Sequence, residues 1–203
     1  MAGNTSASGG YLVPDKAPAP LEGEALEDFF QEIIVGITGL NPKMVRPAWQ
    51  PEPPNIPQQG NVWCAFHFQD EESDTYPWVG ENNDGLGQQL QRNEQFGVIC
   101  SFYGTGAGSS ALGTAKVLRD GLAIAQNREP LFNAGMGLIE VTAPQPVPVL
   151  VKEIWLYRSD ITIRIRRNVV RQYDVLSITS AQVDFTIDAS GRELDRTTEV
   201  ENP

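Results

Sequence analysis

The chain has 203 residues, a formal charge of -11, 40% hydrophobic residues, 19 glycines and 15 prolines. That length holds one domain with a sizeable core, with or without arms, and the Gly and Pro content predicts much loop and extended chain. The acidity is concentrated in residues 1–84, with 13 acidic and 3 basic side chains, which argues against a general nucleic-acid binder because such a protein needs a basic footprint. Nothing approaches the roughly 20 apolar residues of a membrane span. The first residues have neither the basic region nor the apolar stretch of a signal peptide, so a chain made in the cytosol, with no membrane partner, is expected.

Residues 1–23 are rich in Gly, Ser, Ala and Pro and read as an extended N-terminal arm. Tyr11, Leu12 and Val13 form a lone apolar cluster there, a candidate hook on a neighbouring subunit. Leu26, Phe29, Phe30, Ile33, Ile34 and Ile37 recur at helical spacing. Glu24, Glu27 and Asp28 favour the N-terminal end through the helix dipole, and Gly39 and Pro42 end the helix. Val45 to Gly60 carries five prolines and reads as an extended connector across the surface rather than an interior strand.

Asn61 to Gln69 and Gln91 to Tyr103 read as two strands of a hairpin, joined by an acidic loop from Asp70 to Asp84. The loop's Asp70, Glu71 and Glu72 are candidates for a charge-complementary contact. Asn82-x-Asp84-Gly85 fails as a calcium loop, because Gly80 and Gln91 occupy positions that need ligands. Cys64 and His67, three apart on one strand, point to opposite faces and make no nucleophile pair. Cys64 and Cys100 sit in apolar runs without metal spacing and are expected as buried free thiols.

Gly104-Thr105-Gly106-Ala107-Gly108 follows an apolar strand and opens a helix read over Ala107 to Gln126, with Ser109 or Ser110 as its cap. Thr114 stands where a phosphate loop needs Lys, and no parallel strand–helix–strand unit follows, so a nucleotide site over Gly104–Gly113 is the weaker reading of this turn. A short helix near Asn127 to Ala134, a strand from Met136 to Thr142 and a second Pro-rich connector, APQPVPVL, come next. Ile161, Ile163 and Ile165 then alternate with Thr162, Arg164 and Arg166. Ala181, Val183, Phe185 and Ile187 alternate with Gln182, Asp184, Thr186 and Asp188. The expectation is a terminal antiparallel hairpin with arginines opposite aspartates. Arg158, Arg164, Arg166, Arg167 and Arg171 form the basic cluster, paired internally or with an acidic surface of another copy. The expected fold is α+β: a single domain with a mixed or antiparallel sheet packed by two or three helices. The division is an arm over 1–23, a domain over 24–188 and a polar arm over 189–203. No catalytic, cofactor or metal site is expected.

The helix with Gly36-Ile-Thr-Gly-Leu40, then Val45-Arg46-Pro47-Ala-Trp49-Gln-Pro51-x-Pro-Pro54 and Trp63-Cys64-Ala65-Phe66, resembles the opening of tailed-phage neck (tail) terminator proteins. Trp155, Arg158-x-Asp160, Tyr173-Asp-Val and Ile178-Thr-Ser-Ala181 resemble that family's C-terminal half. The resemblance covers roughly residues 24–188. It implies a non-enzymatic virion protein, assembled in the host cytoplasm, that forms a hexameric ring ending the tail tube. Its implied partners are copies of itself, the tail-tube protein and the head-tail connector or collar proteins, with genomic DNA crossing the bore without sequence-specific binding. Tyr11, Leu12, Val13, Asp70, Glu71, Glu72, Arg158, Arg164, Arg166 and Arg171 are the candidate contact residues. The alternatives are a head-tail stopper or tail-tube subunit and, as a different class, an enzyme using the Gly104–Gly113 turn.

Overall fold

The computed structural model describes residues 4, 8–15, 19–50, 61–81, 87–105, 111–151, 154–175, 180–185 and 196–201. They fall into two compact units, one of residues 19–78 and 91–170, the other of residues 1–18, 79–90 and 171–203. The fold is α+β, as expected, with a mixed sheet and helices packed on it.

The larger unit opens with helix α1 (Gly23–Thr38), whose buried stripe is Leu26, Phe30, Ile33 and Ile34. Gly39 ends it in the left-handed region, φ 69°, where its amide donates to the Val35 carbonyl. Glycine adopts that conformation without a Cβ penalty. After a 3-10 turn at Pro42–Met44 comes the short strand β1 (Val45–Pro47), followed by β2 (Trp63–Ser73), β3 (Trp78–Glu81) and β4 (Gln88–Thr105). Helix α2 (Ala111–Leu122), a 3-10 turn at Gln126–Arg128 and helix α3 (Glu129–Asn133) lead to β5 (Met136–Val141), β6 (Gln145–Pro146), β7 (Val149–Val151) and the 20-residue β8 (Ile154–Tyr173).

The sheet order is β1-β2-β4-β8-β5, with β3 on β4 and β6 and β7 on β8. β1 pairs with β2 in parallel, whereas β2 with β4 and β5, β6 and β7 with β8 are antiparallel. Contacts of Asn93 with Asn168, Glu94 with Arg167 and Gly97 with Thr162 run in opposite senses, so β4 and β8 are antiparallel too. Each strand sends alternate residues into one core. Cys64 and Phe66, then Phe96, Val98, Cys100 and Phe102, then Ile161, Ile163 and Ile165 are buried against Phe30 and Ile34 of α1 and Ala115, Leu118 and Leu122 of α2. α1 and α2 cross at Gly121, where an added Cβ would overlap Ile37 Cγ2. No helix among the described residues is long and apolar enough to cross a membrane.

Several local expectations are corrected. The isoleucine-rich strand does not pair with the described part of the expected partner strand, residues 181–185. β8 is instead interior, flanked by β4 and β5, because both of its edges find partners. In the smaller unit β9 (Ser180–Phe185) pairs antiparallel with β10 (Arg196–Glu201), which falls in the stretch read as a C-terminal arm, and Asp184 lies opposite Thr197. The acidic stretch is not one loop: β2 continues to Ser73, opposite Glu94, with a bulge between Gln69 and Glu72, and β3 follows. The two Pro-rich connectors contain the short strands β1 and β6. Pro47 sits on an outermost strand and Pro146 at the edge of β8, where a missing amide breaks no interior ladder. In the smaller unit the Asp15 amide also donates to the Gln172 carbonyl, and the Gly87 backbone comes close to the Tyr173 carbonyl. The central Pro-rich residues 51–60 and the glycine-rich residues 106–110, including both proposed cap serines, lie outside the described residues.

Candidate interaction surface

Alternation that buries Cys64 and Phe66 sends Trp63 and His67 to the opposite face of the sheet, which no helix covers among the described residues. A ladder of rings and guanidinium groups crosses that face. Arg46 on β1 lies 5.0 Å from the Trp63 ring on β2. Trp63 stacks on Tyr103 of β4, with centroids 4.2 Å apart and planes at 10°. Arg158 on β8 lies 5.8 Å from Tyr103 and makes a two-pronged bond to Asp160, at 2.7 and 2.6 Å. The register Trp63↔Tyr103 sets this row, because directly opposed residues are the closest cross-strand pairs. Each ring–cation contact at a partly exposed site contributes roughly 0.5–1 kcal/mol. Arg46 Nε is buried without a hydrogen-bond partner among the described residues, so the Trp63 ring holds this guanidinium.

Beside the ladder, Trp49 packs on His67 at 4.5 Å while remaining 81% exposed, and it adopts φ 60°. A left-handed conformation at a non-glycine residue is uncommon and costs about 1–3 kcal/mol. The contact with His67 is one force that offsets it. Burial lowers the His67 pKa below its ordinary value, Arg158 lowers it further, and Asp160 acts in the opposite sense. Arg158 is held firmly charged, first by its bond to Asp160.

The predicted arginines do not act as one cluster. Arg158, Arg164 and Arg166 share the open face of β8, two residues apart or a multiple of it. Among the described residues Arg158 holds Asp160 and Arg164 reaches Glu140 at 3.4 Å, whereas Asp188 and the side chain of Asp184 lie outside the described residues. Arg166 is exposed and has no ion pair among the described residues. Arg167 points to the core side, where it pairs with Glu94 at 2.9 Å, donates to the Leu21 carbonyl and lies over Phe96. Arg171, in the smaller unit, is half-buried and engaged. Tyr11 is 94% exposed and Val13 62%, with Leu12 half-buried between them. Glu72 is exposed on β2, whereas the side chains of Asp70 and Glu71 lie outside the described residues.

The ladder residues Arg46, Trp63, Tyr103 and Asp160 were not among the predicted contacts. Arg158 and Asp160, two apart on a strand, share a face by the pleat alone. That signal was legible. The Trp63–Tyr103 stack needs the β2–β4 register, which is long-range.

Cys64 and Cys100 are buried free thiols on the core face. Burial pushes the Cys64 thiol well up, and the neighbouring Cys100 adds to the shift. Such a thiol stays protonated and is a poor nucleophile. Among the described residues no group of three or more His, Cys, Asp or Glu side chains is placed to hold a metal ion. The surface therefore offers ordered aromatic rings and guanidinium groups, side chains enriched in protein–protein interfaces.

No curated protein matches the chain. The family described as phage neck terminator protein matches it over residues 24–189, which takes in α1 from its second residue, α2, α3 and all of β1 to β9. With that span matched end to end, the chain belongs to the phage neck terminator protein family.

Proposed function

We propose that this structural neck protein assembles as a closed ring, a hexamer by family resemblance, on the head-proximal end of the tail tube. There it stops tube growth and joins the tail to the head-tail connector or collar proteins, after assembly in the host cytoplasm. The observation that carries this reading is the two-sided sheet. One face is filled by α1 and α2, and the other presents the Arg46–Trp63–Tyr103–Arg158 ladder with Trp49 at its side. An ordered, half-exposed aromatic and arginine surface supports a docking role, because its side chains lose little freedom on association.

The exposed Tyr11 and Val13 support the use of the N-terminal arm as a hook on a neighbouring subunit. Glu72 on β2, with Asp70 and Glu71 in the same strand, supports a contact with a basic partner surface. The charge of -11 supports passage of DNA through the bore by like-charge repulsion, without sequence-specific contact.

The test is the mass of the purified chain in solution, alone and mixed with isolated tail tubes, followed by negative-stain imaging. Discrete rings, or monomers that become rings on tube ends, are expected. Open-ended tubes of this chain alone would reassign it as a tube subunit. A monomer that ignores tube ends would overturn the reading.

A further inference from the structure

We propose that Arg166 and Phe132 of one copy dock into the groove between α1 and α3 of a second copy, where Glu32 and Glu129 receive the guanidinium. This inference rests on the ring reading and names the contact that builds the ring. Two of the three open-face arginines of β8 are engaged within the chain, by Asp160 and Glu140. Arg166 is left over. Its side chain lies along Gly137, where a Cβ would stand 3.0 Å from Nε, so the absent side chain leaves the guanidinium its path. Arg166 and Phe132 both line one cleft of about 610 Å³, whose other arginine, Arg167, is already paired with Glu94. Phe132 is 81% exposed, yet the preceding residue, Leu131, is buried and fixes the short helix α3. A large apolar ring is thus displayed on a fixed turn beside an unpaired cation.

The complementary surface is on the same chain. A groove of about 500 Å³ runs between α1 and the Gln126–Asn133 segment. Phe29, Ile33, Ile37 and Pro130 give it an apolar lining, Glu32 and Glu129 give it charge, and no basic side chain lines it among the described residues. Gly36 leaves a gap in its wall. Neither Glu32 nor Glu129 has an ion pair among the described residues, and α1 carries Glu24, Glu27 and Asp28 without a single basic residue. The apolar ring matches the lining and the cation matches the carboxylates. Both halves belong to one sequence, which points to a second copy as the occupant. Repeated head to tail between successive copies, such a contact is heterologous and closes a ring when its rotation divides a full turn.

The experiment compares Arg166→Glu, Glu32→Arg, the double variant and Phe132→Ala with the wild type, using the full chain. Far-UV circular dichroism and Tm establish folding, and sedimentation with native mass measures assembly, alone and with tail tubes. All substituted residues are exposed, so all four variants should fold. Each single variant should weaken self-association by about tenfold or more, as loss of a close interfacial charge pair does. The double variant should recover most of that loss. Single variants that assemble like the wild type, or a double variant without recovery, would overturn the proposal and leave the ring reading standing. Variants that form rings but no longer cap tubes would assign the patch to a tail protein and overturn the second-copy assignment. A wild type that stays monomeric on tube ends would overturn both.

Discussion

At the residue scale, His67 makes stability depend on pH in a defined direction. Its folded pKa is lowered, chiefly by burial, so folding favours the neutral ring. That contribution is fully present above the unfolded value of about 6.5 and is lost as pH falls from there through the folded pKa. The wild type should therefore lose Tm on acidification below about pH 6.5 more steeply than His67→Gln. Equal slopes for the two proteins in that window would remove His67 as the cause. Glu94 and Arg167 present the contrasting case. Both side chains are only 10% exposed, and the guanidinium also reaches the Leu21 carbonyl and the Phe96 ring. Such a network fixes how the start of α1 meets the sheet, although a buried pair adds little net stability over an apolar one.

At the scale of elements, α1 and α2 are closely packed where they cross. A Cβ at Gly121 would overlap Ile37 Cγ2. Gly121→Val should cost about 1–3 kcal/mol by overpacking, read as a lower urea midpoint at unchanged slope, whereas Gly36→Ala, with open space around it, should cost nothing comparable. A Gly121→Val protein as stable as the wild type would mean that the helices can move apart freely. The same elements show what the sequence could reveal. Leu26, Phe30, Ile33 and Ile34 announce α1 because helical periodicity is local, and Gly39 marks its end through a conformation that glycine favours. Strand pairing is not local. Ile161, Ile163 and Ile165 mark a strand, but nothing in their spacing says that Gly97 and Leu138 will lie beside them rather than Val183. The acidic residues after Gln69 look like loop by composition. They stay in strand because β4 offers Gln95 and Glu94 as ladder partners, so tertiary pairing overrides propensity. The open face was half legible: its arginines stood out, whereas Trp63 and Tyr103 become neighbours only through the β2–β4 register.

At the scale of the whole molecule, charge governs what the protein avoids. With a net charge of -11 and its open-face arginines largely engaged by Asp160 and Glu140, the chain should show no retardation of duplex DNA in a gel-shift assay at physiological salt. Salt-sensitive binding at micromolar protein would contradict the proposed free passage of the genome. The sheet's two margins limit assembly in another way. On one side β1 is three residues long and closes on Pro47, which has no amide to donate. On the other, β5 carries an extra residue, Ile139, between Leu138 and Glu140, which throws the strand out of register with any straight newcomer. Short strands, proline and bulges are the devices by which proteins resist edge-to-edge growth. Addition of strand upon strand, the commonest route from a β-rich subunit to an endless fibril, is thereby discouraged at both ends of the sheet. A subunit proposed to bring a polymer to a halt is itself built so that it does not start one.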